Sequence, residues 1–244
     1  MTKRPGGRAR LREGSPPRGE RMRGGGGQAK MRQGGQAAET SVPSASFPVI
    51  DGATGASGAA RVGGVELFLG CMFSGKTTRM LRRILSCAPA RAIAIKHAQD
   101  TRCQADVIVS HAGLSVPARI VAEAAELSGA VGDANVIGID EAHFFDAALP
   151  DVCRRLADAG VTVMLTGLDR TSWGRPFPVI EALREIADGV IRLTATCARC
   201  GAVAEHTQRL TPVVEGRIVG GSEAFEPRCA ACWRPPPEAP VDRV

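Results

Sequence analysis

The chain of 244 residues lacks tyrosine altogether, and aromatic residues make up only 4% of it. No binding site in this protein can therefore use a phenolic hydroxyl. The sequence also has no apolar run that approaches the roughly 18–20 residues of a membrane-spanning helix. Its N-terminal segment has no apolar stretch suited to a secretory signal. These absences argue against a membrane or secreted protein, and we expect a cytoplasmic one.

Positive charge is scarce outside one end of the chain. Residues 1–34 hold ten of the 31 basic residues and two of the 25 acidic ones, which leaves 21 basic against 23 acidic residues elsewhere. The remainder is nearly neutral, and this argues against nucleic-acid binding by the folded part. Residues 1–60 are rich in Gly, Arg, Pro and Ser and cannot bury enough apolar surface to order themselves. We expect a disordered basic tail there, for which contact with RNA, DNA or acidic lipids stays open, and another short tail at 235–244.

Alternating apolar and helix-like segments predict an α/β domain over residues 61–194. The predicted strands cover residues 65–69, 92–95, 116–121, 136–139, 161–165 and 190–193, and the predicted helices 76–86, 122–127, 147–159 and 178–187. Residues 99–115 read as a long loop. Such alternation favours a parallel sheet with helices on both faces.

A phosphate-binding loop stands out within this domain. Residues 70–77 read GCMFSGKT, which matches G-x-x-x-x-G-K-[ST], between an apolar run and a helix-like stretch as the motif requires. Lys76 can reach the β- and γ-phosphates of a nucleotide, and the Thr77 hydroxyl can hold Mg²⁺. The alternative is a chance match in a glycine-rich turn. The residues predicted to bind ATP with Mg²⁺ here are Gly70, Met72, Phe73, Ser74, Gly75, Lys76, Thr77 and Thr78.

An acidic pair follows the buried apolar run at residues 136–139. Asp140 and Glu141 should lie at the carboxyl edge of the sheet, where open α/β sheets bind ligands. Asp140 can hold Mg²⁺, and Glu141 can accept a proton from an attacking hydroxyl. Arg102, in the loop after the second strand, can close over phosphates, although a solvated loop charge is the commoner case.

Four of the eight cysteines form two close pairs, Cys197/Cys200 and Cys229/Cys232. Two Cys-x-x-Cys knuckles in a protein expected to be cytoplasmic favour a metal site over disulfides. Four thiolates suit tetrahedral Zn²⁺. The 28 residues between the knuckles exceed the usual spacing, so we predict a structural zinc ribbon that pins a long loop, within a second domain at 195–234.

Taken together, these motifs resemble the zinc-containing, cytosolic-type thymidine kinase family. The resemblance covers about residues 62–233 and rests on MFSGKT at 72–77, GIDE at 138–141, LTA at 193–195 and VGG at 219–221. It implies transfer of the ATP γ-phosphate to the 5′-hydroxyl of thymidine or deoxyuridine, with Glu141 as general base. It further implies a homotetramer that thymidine triphosphate inhibits. The substrate-binding residues that it implies are Met72, Asp100, Phe144, Thr194, Val219, Gly221 and Phe225, with the loop between the knuckles as a lasso over the base.

Two positions depart from the pattern of that family. Phe225 stands where the lasso commonly carries Tyr, and Ala112 follows His111 where Asp is frequent. Neither change removes a catalytic group, so we expect both to affect the affinity for the substrate and not the reaction. Two other classes remain open: a zinc-ribbon P-loop ATPase that acts on nucleic acid, and a nucleotide sensor without catalytic activity. Stimulation of ADP production by thymidine, by polynucleotide or by neither would separate the three.

Overall fold

The computed structural model of the chain describes residues 63–87, 91–101, 106–212 and 220–237. Both predicted tails, apart from 235–237 in the second, lie outside these residues, as do Arg102 and Val219. The helices are α1 (Lys76–Ser86), α2 (Leu127–Val131), α3 (Leu149–Asp158) and α4 (Pro178–Ile186). The strands are β1 (Gly64–Gly70), β2 (Ala92–His97), β3 (Val107–Val109), β4 (Ser115–Val121), β5 (Val136–Asp140), β6 (Thr162–Gly167), β7 (Gly189–Leu193), β8 (Ala195–Thr196), β9 (Val203–Ala204), β10 (His206–Arg209) and β11 (Phe225–Arg228).

A mostly parallel sheet forms the centre of the described part, in the order β3-β4-β2-β5-β6-β1-β7. Only β3 runs antiparallel, against β4. This strand lies inside residues 99–115, so the prediction of one long loop there is wrong. A run of three apolar residues is too short to show the alternation of a strand. Its pairing with β4 depends on a tight turn in which Gly113 has φ +80°. In this turn the Ser110 amide donates to the Leu114 carbonyl oxygen at 2.8 Å.

Helices cover both faces of the sheet, as the sequence predicts. On one face Val65, Leu67 and Leu69 of β1 are buried in a cluster with side chains of α2, α3 and α4. On the other face Phe68 belongs to a cluster with Met80 and other side chains of α1. Strands that are buried on both sides consist mostly of apolar residues. In residues 65–69 only Glu66 is charged, which explains why the sequence predicted this strand.

The distance between α1 and the sheet depends on one glycine. A Cβ at Gly138 of β5 would overlap the Ile84 Cδ1 atom and would lie 3.1 Å from the Met80 Sδ atom. A side chain at this position would therefore require the buried Ile84 and Met80 side chains of α1 to move. The absence of a Cβ lets α1, which begins at Lys76, pack directly on the strand that ends in Asp140.

Beyond the large sheet, two short antiparallel strand pairs lie next to the cysteine knuckles. One pairs β8 with β9 and has Cys197 and Cys200 between its strands, and the other pairs β10 with β11, which Cys229 and Cys232 follow. In the parts of the chain that the structure describes, no helix is long and apolar enough to cross a membrane.

The contact at Gly138 yields a stability prediction. Gly138→Ala should lower the melting temperature by several degrees, because overpacking costs typically about 1–3 kcal/mol. Gly129→Ala is the matched control, since its Cβ would meet no atom within 4 Å and alanine favours the helix. Thermal unfolding followed by circular dichroism measures both. A Gly138→Ala protein as stable as the parent would show that α1 moves away without cost.

Candidate active site

The phosphate-binding loop leaves β1 in a conformation that suits an anion. A Cβ at Gly70 would overlap the Leu193 carbonyl oxygen, and Gly75 has a left-handed backbone with φ +85°. No side chain caps the first turn of α1, so its backbone N–H groups remain available for a ligand. The Ser74 Oγ atom is buried without a hydrogen-bond partner among the described residues. These features fit a bound phosphate chain.

Lys76 is buried at the base of this loop. Its Nζ atom donates to the Cys71 carbonyl oxygen at 2.8 Å, so the ammonium group is held over the loop by the backbone of the loop itself. A phosphate oxygen in the cradle can replace this carbonyl as the acceptor. The lysine is thus positioned close to where the predicted phosphates would bind.

Asp140 connects the loop with the carboxyl edge of the sheet. Its Oδ1 atom accepts hydrogen bonds from the Thr77 hydroxyl at 2.9 Å and from the Thr166 hydroxyl at 2.5 Å. The two predicted Mg²⁺ ligands are therefore adjacent in the structure. Hydroxyl and carboxylate oxygens are the donors that Mg²⁺ prefers, so the pair fits this ion.

Glu141 lies next to this pair in an unusual backbone conformation. Its φ and ψ angles are 52° and 51°, in the left-handed region that non-glycine residues rarely occupy. Such strain is typical of functional sites and costs roughly 1–3 kcal/mol. The Glu141 Oε2 atom lies 3.5 Å from the His143 Nδ1 atom, and the Leu168 amide donates to the same nitrogen at 3.3 Å. The Glu141 side chain is buried, and it directly follows Asp140 at the carboxyl end of β5.

Four of the predicted nucleoside-binding residues are buried, and two of these lie together. Met72 and Phe225 are brought together in one buried cluster with Ala224. The Phe144 ring lies 4.4 Å from the His143 ring, on the side of Glu141. Thr194, between β7 and β8, and Asp100, after β2, are both buried. The resemblance assigns Met72 and Phe225 to the nucleoside site, and the fold brings these two residues together although they are far apart in the chain.

The described end of the lasso has its own hydrogen bonds. The Gly221 carbonyl oxygen accepts from the Ala224 and Phe225 amides, each at 3.1 Å. The Gly221 amide donates to the Glu223 Oε1 atom at 2.7 Å, and this bond lowers the pKa of the Glu223 carboxyl below its usual value. The Gly221 backbone, which the resemblance assigns to the base edge, therefore has partners within the chain in this structure.

The four predicted metal ligands converge. The Sγ atoms of Cys197, Cys200, Cys229 and Cys232 all lie within 4.8 Å of one another, and those of Cys200 and Cys229 are 3.6 Å apart. Thiolates at about 2.3 Å from a tetrahedral Zn²⁺ would be separated by about 3.8 Å. Burial raises the pKa of Cys197, but hydrogen bonds from backbone amides outweigh it and lower the value to about 6. The donor set and its spacing fit zinc.

The cysteine cluster also touches the phosphate-binding loop. Cys71 is buried in the same apolar cluster as Cys197 and Cys229, and its thiol donates to the Ala204 carbonyl oxygen at 3.4 Å. Burial raises the pKa of the Cys71 thiol to about 11, so it is not a nucleophile. A second link joins the Met72 amide to the Thr207 Oγ1 atom at 3.0 Å.

Comparison with known proteins shows the family of the chain. A family model described as thymidine kinase matches residues 63–233, well over half of the chain. The chain belongs to the thymidine kinase family. It is therefore a nucleoside kinase, an enzyme that transfers a phosphoryl group, as the sequence predicts.

Curated relatives support this membership along most of their length. The thymidine kinase of Roseiflexus sp. (strain RS-1) is 39% identical over 71% of this chain and 96% of that protein. The thymidine kinase of Rhodothermus sp. (strain ITI 518) is 41% identical over 72% of this chain and 83% of that protein. Among solved structures, the Legionella pneumophila ATPase DotB is only weakly similar, with 14% identity and a TM-score of 0.36 over 59% of this chain and 44% of that one.

Sequence reasoning missed Thr166 and did not foresee the contacts that His143 and Thr207 make. Thr166 is one of several ordinary residues in a buried strand, and nothing in the sequence marks it. His143 follows the acidic pair, but its contact with Glu141 depends on the turn made by the left-handed residue. Thr207 lies in the loop between the knuckles, and its contact with Met72 is visible only in three dimensions.

The cysteine cluster yields a prediction about metal content. Cys229→Ser should lose the single zinc ion that we expect per chain and should lower the melting temperature, because structural zinc contributes to folding directly. Cys87→Ser is the control, since Cys87 lies at the end of α1. Elemental analysis of both purified proteins, with thermal unfolding, provides the measurement. A parent protein without zinc, or a Cys229→Ser protein that keeps it, would contradict the assignment.

Proposed function

We propose that this enzyme transfers the γ-phosphoryl group of ATP to the 5′-hydroxyl of thymidine or deoxyuridine. Membership of the family supports the reaction. The observation that carries the assignment to residues is the juxtaposition of Glu141 with Asp140 and Thr77 at the carboxyl edge of the sheet. There a candidate proton acceptor, a pair of candidate metal ligands and the phosphate-binding loop are neighbours in space, although the loop is far from the acidic pair in the chain.

In this proposal the phosphates of ATP bind between the loop of residues 70–77 and the first turn of α1. The backbone amides and the Ser74 hydroxyl donate to phosphate oxygens, and Lys76 exchanges the Cys71 carbonyl for a phosphate. Thr77 and Asp140 hold Mg²⁺, which when bound offsets charge on the phosphate oxygens. Phe73 and Thr78 complete the loop, and Arg102, in the same loop of the chain as Asp100, closes over the phosphates.

Glu141 is the general base of the proposed reaction. A 5′-hydroxyl is a weak nucleophile until a neighbouring group accepts its proton. The carboxylate of Glu141 accepts that proton while the oxygen forms its bond to the γ-phosphorus and the bond to the leaving ADP oxygen breaks. The buried position of Glu141 favours this role, because it excludes bulk water as a competing acceptor.

The nucleoside lies among the side chains predicted to bind it. Met72 and Phe225 pack against one part of the thymine ring, and Phe144 and Thr194 border the rest of it. Asp100 also belongs to the proposed substrate site, and backbone groups of Val219 and Gly221 bond the base edge. Pockets for small molecules are usually lined by apolar side chains, and a few hydrogen bonds fix the orientation of the ligand.

Other features of the proposal rest on the family resemblance and the sequence. They are structural zinc in the cysteine cluster, a homotetramer, inhibition by thymidine triphosphate, a cytoplasmic location and the absence of nucleic-acid binding by the folded part. The division into a tail, a kinase domain at 61–194, a lasso domain at 195–234 and a second tail belongs with them.

Substitution of the acidic pair tests the reaction. Glu141→Gln should reduce kcat by about 10²–10⁴-fold, the usual contribution of general-base catalysis, because the amide cannot accept the proton. Binding of ATP and thymidine should persist, since size and shape are kept. Steady-state kinetics and calorimetry on the full chain supply both quantities.

Asp140→Asn is the companion variant, which alters the predicted metal ligand and keeps the base. It should raise the Mg²⁺ concentration needed for half-maximal activity, whereas Glu141→Gln should leave that concentration unchanged. Near-normal thymidine phosphorylation by Glu141→Gln would exclude Glu141 as the base. A parent enzyme that hydrolyses ATP only with polynucleotide would replace the proposed function.

A further inference from the structure

We propose that Thr166 is a positioning residue for phosphoryl transfer, which sets the geometry of Asp140 and Glu141 relative to each other. The inference rests on the proposed function, in which these two carboxylates are the metal ligand and the base. Thr166 itself is fully buried, with 0% of its surface exposed. It cannot reach a substrate, so its influence must pass through its two partners.

The register of the sheet places Thr166 beside the acidic pair. Ile139 of β5 pairs with Leu165 of β6, so the next residue of each strand, Asp140 and Thr166, lie level at the carboxyl edge. A side chain at this position faces the point where β5 ends and the chain turns. The neighbouring strand therefore offers its hydroxyl where Glu141 leaves the sheet.

The directions of the hydrogen bonds at Thr166 are fixed by chemistry. The Glu141 amide can only donate, so the Thr166 Oγ1 atom accepts from it at 3.1 Å. The hydroxyl proton is then directed to the Asp140 Oδ1 atom at 2.5 Å. One oxygen atom thus binds the backbone of the proposed base and the carboxylate of the proposed metal ligand. Displacement of this oxygen would move both groups at once.

The left-handed conformation of Glu141 makes this support necessary. A non-glycine residue with φ 52° persists only where its surroundings fix it. The Thr166 hydroxyl holds the amide at the start of that turn, and the turn in turn directs the carboxylate. The same Asp140 oxygen accepts from Thr77 at 2.9 Å. A change in the orientation of the Asp140 carboxylate would therefore also disturb its hydrogen bond to the phosphate-binding loop.

Two substitutions separate the hydroxyl from the shape of the side chain. Thr166→Val keeps the shape and removes the hydroxyl, whereas Thr166→Ser keeps the hydroxyl and removes a methyl group. Loss of groups that orient metal ligands typically costs about 10–100-fold in activity or metal affinity. We expect Thr166→Val to lose about that factor in kcat, with KM for thymidine changed by less than about threefold. Thr166→Ser should keep kcat within about threefold of the parent.

A second measurement does not depend on turnover. Calorimetric titration of the full chain with ADP, with and without Mg²⁺, should show that Thr166→Val weakens the Mg²⁺-dependent part of binding and that Thr166→Ser preserves it. If Thr166→Val does not fold, Thr166→Ala against Thr166→Ser makes the same comparison, since these two differ only by the hydroxyl.

The outcomes are distinct. A Thr166→Val protein with a lower melting temperature but normal kcat and normal Mg²⁺-dependent ADP binding would overturn the inference, because Thr166 would then be merely structural. A loss of kcat in Thr166→Ser as large as in Thr166→Val would overturn it as well. A parent protein that binds ADP with Mg²⁺ but never phosphorylates thymidine would refute the proposed function instead, and the ADP titrations would still decide the role of Thr166.

Discussion

The candidate active site depends on one carboxylate oxygen, the Oδ1 atom of Asp140. It accepts hydroxyl hydrogen bonds from Thr77 in the first turn of α1 and from Thr166 of β6, while Asp140 itself ends β5. A single acceptor thus joins the carboxyl ends of two neighbouring strands to the start of the helix that follows β1. Charge-assisted bonds of this kind are shorter and stronger than neutral ones. In a buried site with low dielectric they fix positions that a flexible loop alone would not keep.

The cysteine hairpins extend this arrangement beyond the sheet. Cys71 lies in one apolar cluster with two of the four knuckle cysteines, and the Met72 amide bonds to Thr207 of β10. The first residues of the phosphate-binding loop are therefore packed against the part of the chain that would close over the nucleoside. A metal that stabilised the hairpins would act on both proposed substrate sites through these contacts. In the proposed complex, the geometry at the phosphates and the geometry at the base would therefore be coupled.

Local pattern predicted the parts of the fold that local chemistry determines. The buried strands, the phosphate-binding loop and the cysteine knuckles each follow from the residues of one short segment. Strand β3 was not predicted because its three residues form a strand only through pairing with β4. Thr166 was missed for a similar reason, since its role comes from the register between β5 and β6. Contacts between segments far apart in sequence leave no periodicity in either one, and only the family resemblance linked Met72 with Phe225.

Two of the polar groups proposed to bind substrates already have partners within the chain. Lys76 bonds to the Cys71 carbonyl, and the Gly221 amide bonds to Glu223. In the proposed complex Lys76 would exchange a neutral carbonyl for a phosphate oxygen and so gain a charge-assisted bond. The Gly221 amide would give up a carboxylate partner, so its bond to the base would add little affinity. Affinity for the base in the proposed site would then come mainly from the apolar surface of Met72 and Phe225. Because Phe225 supplies that surface without a hydroxyl, this affinity would depend on how closely the lasso packs against the ring.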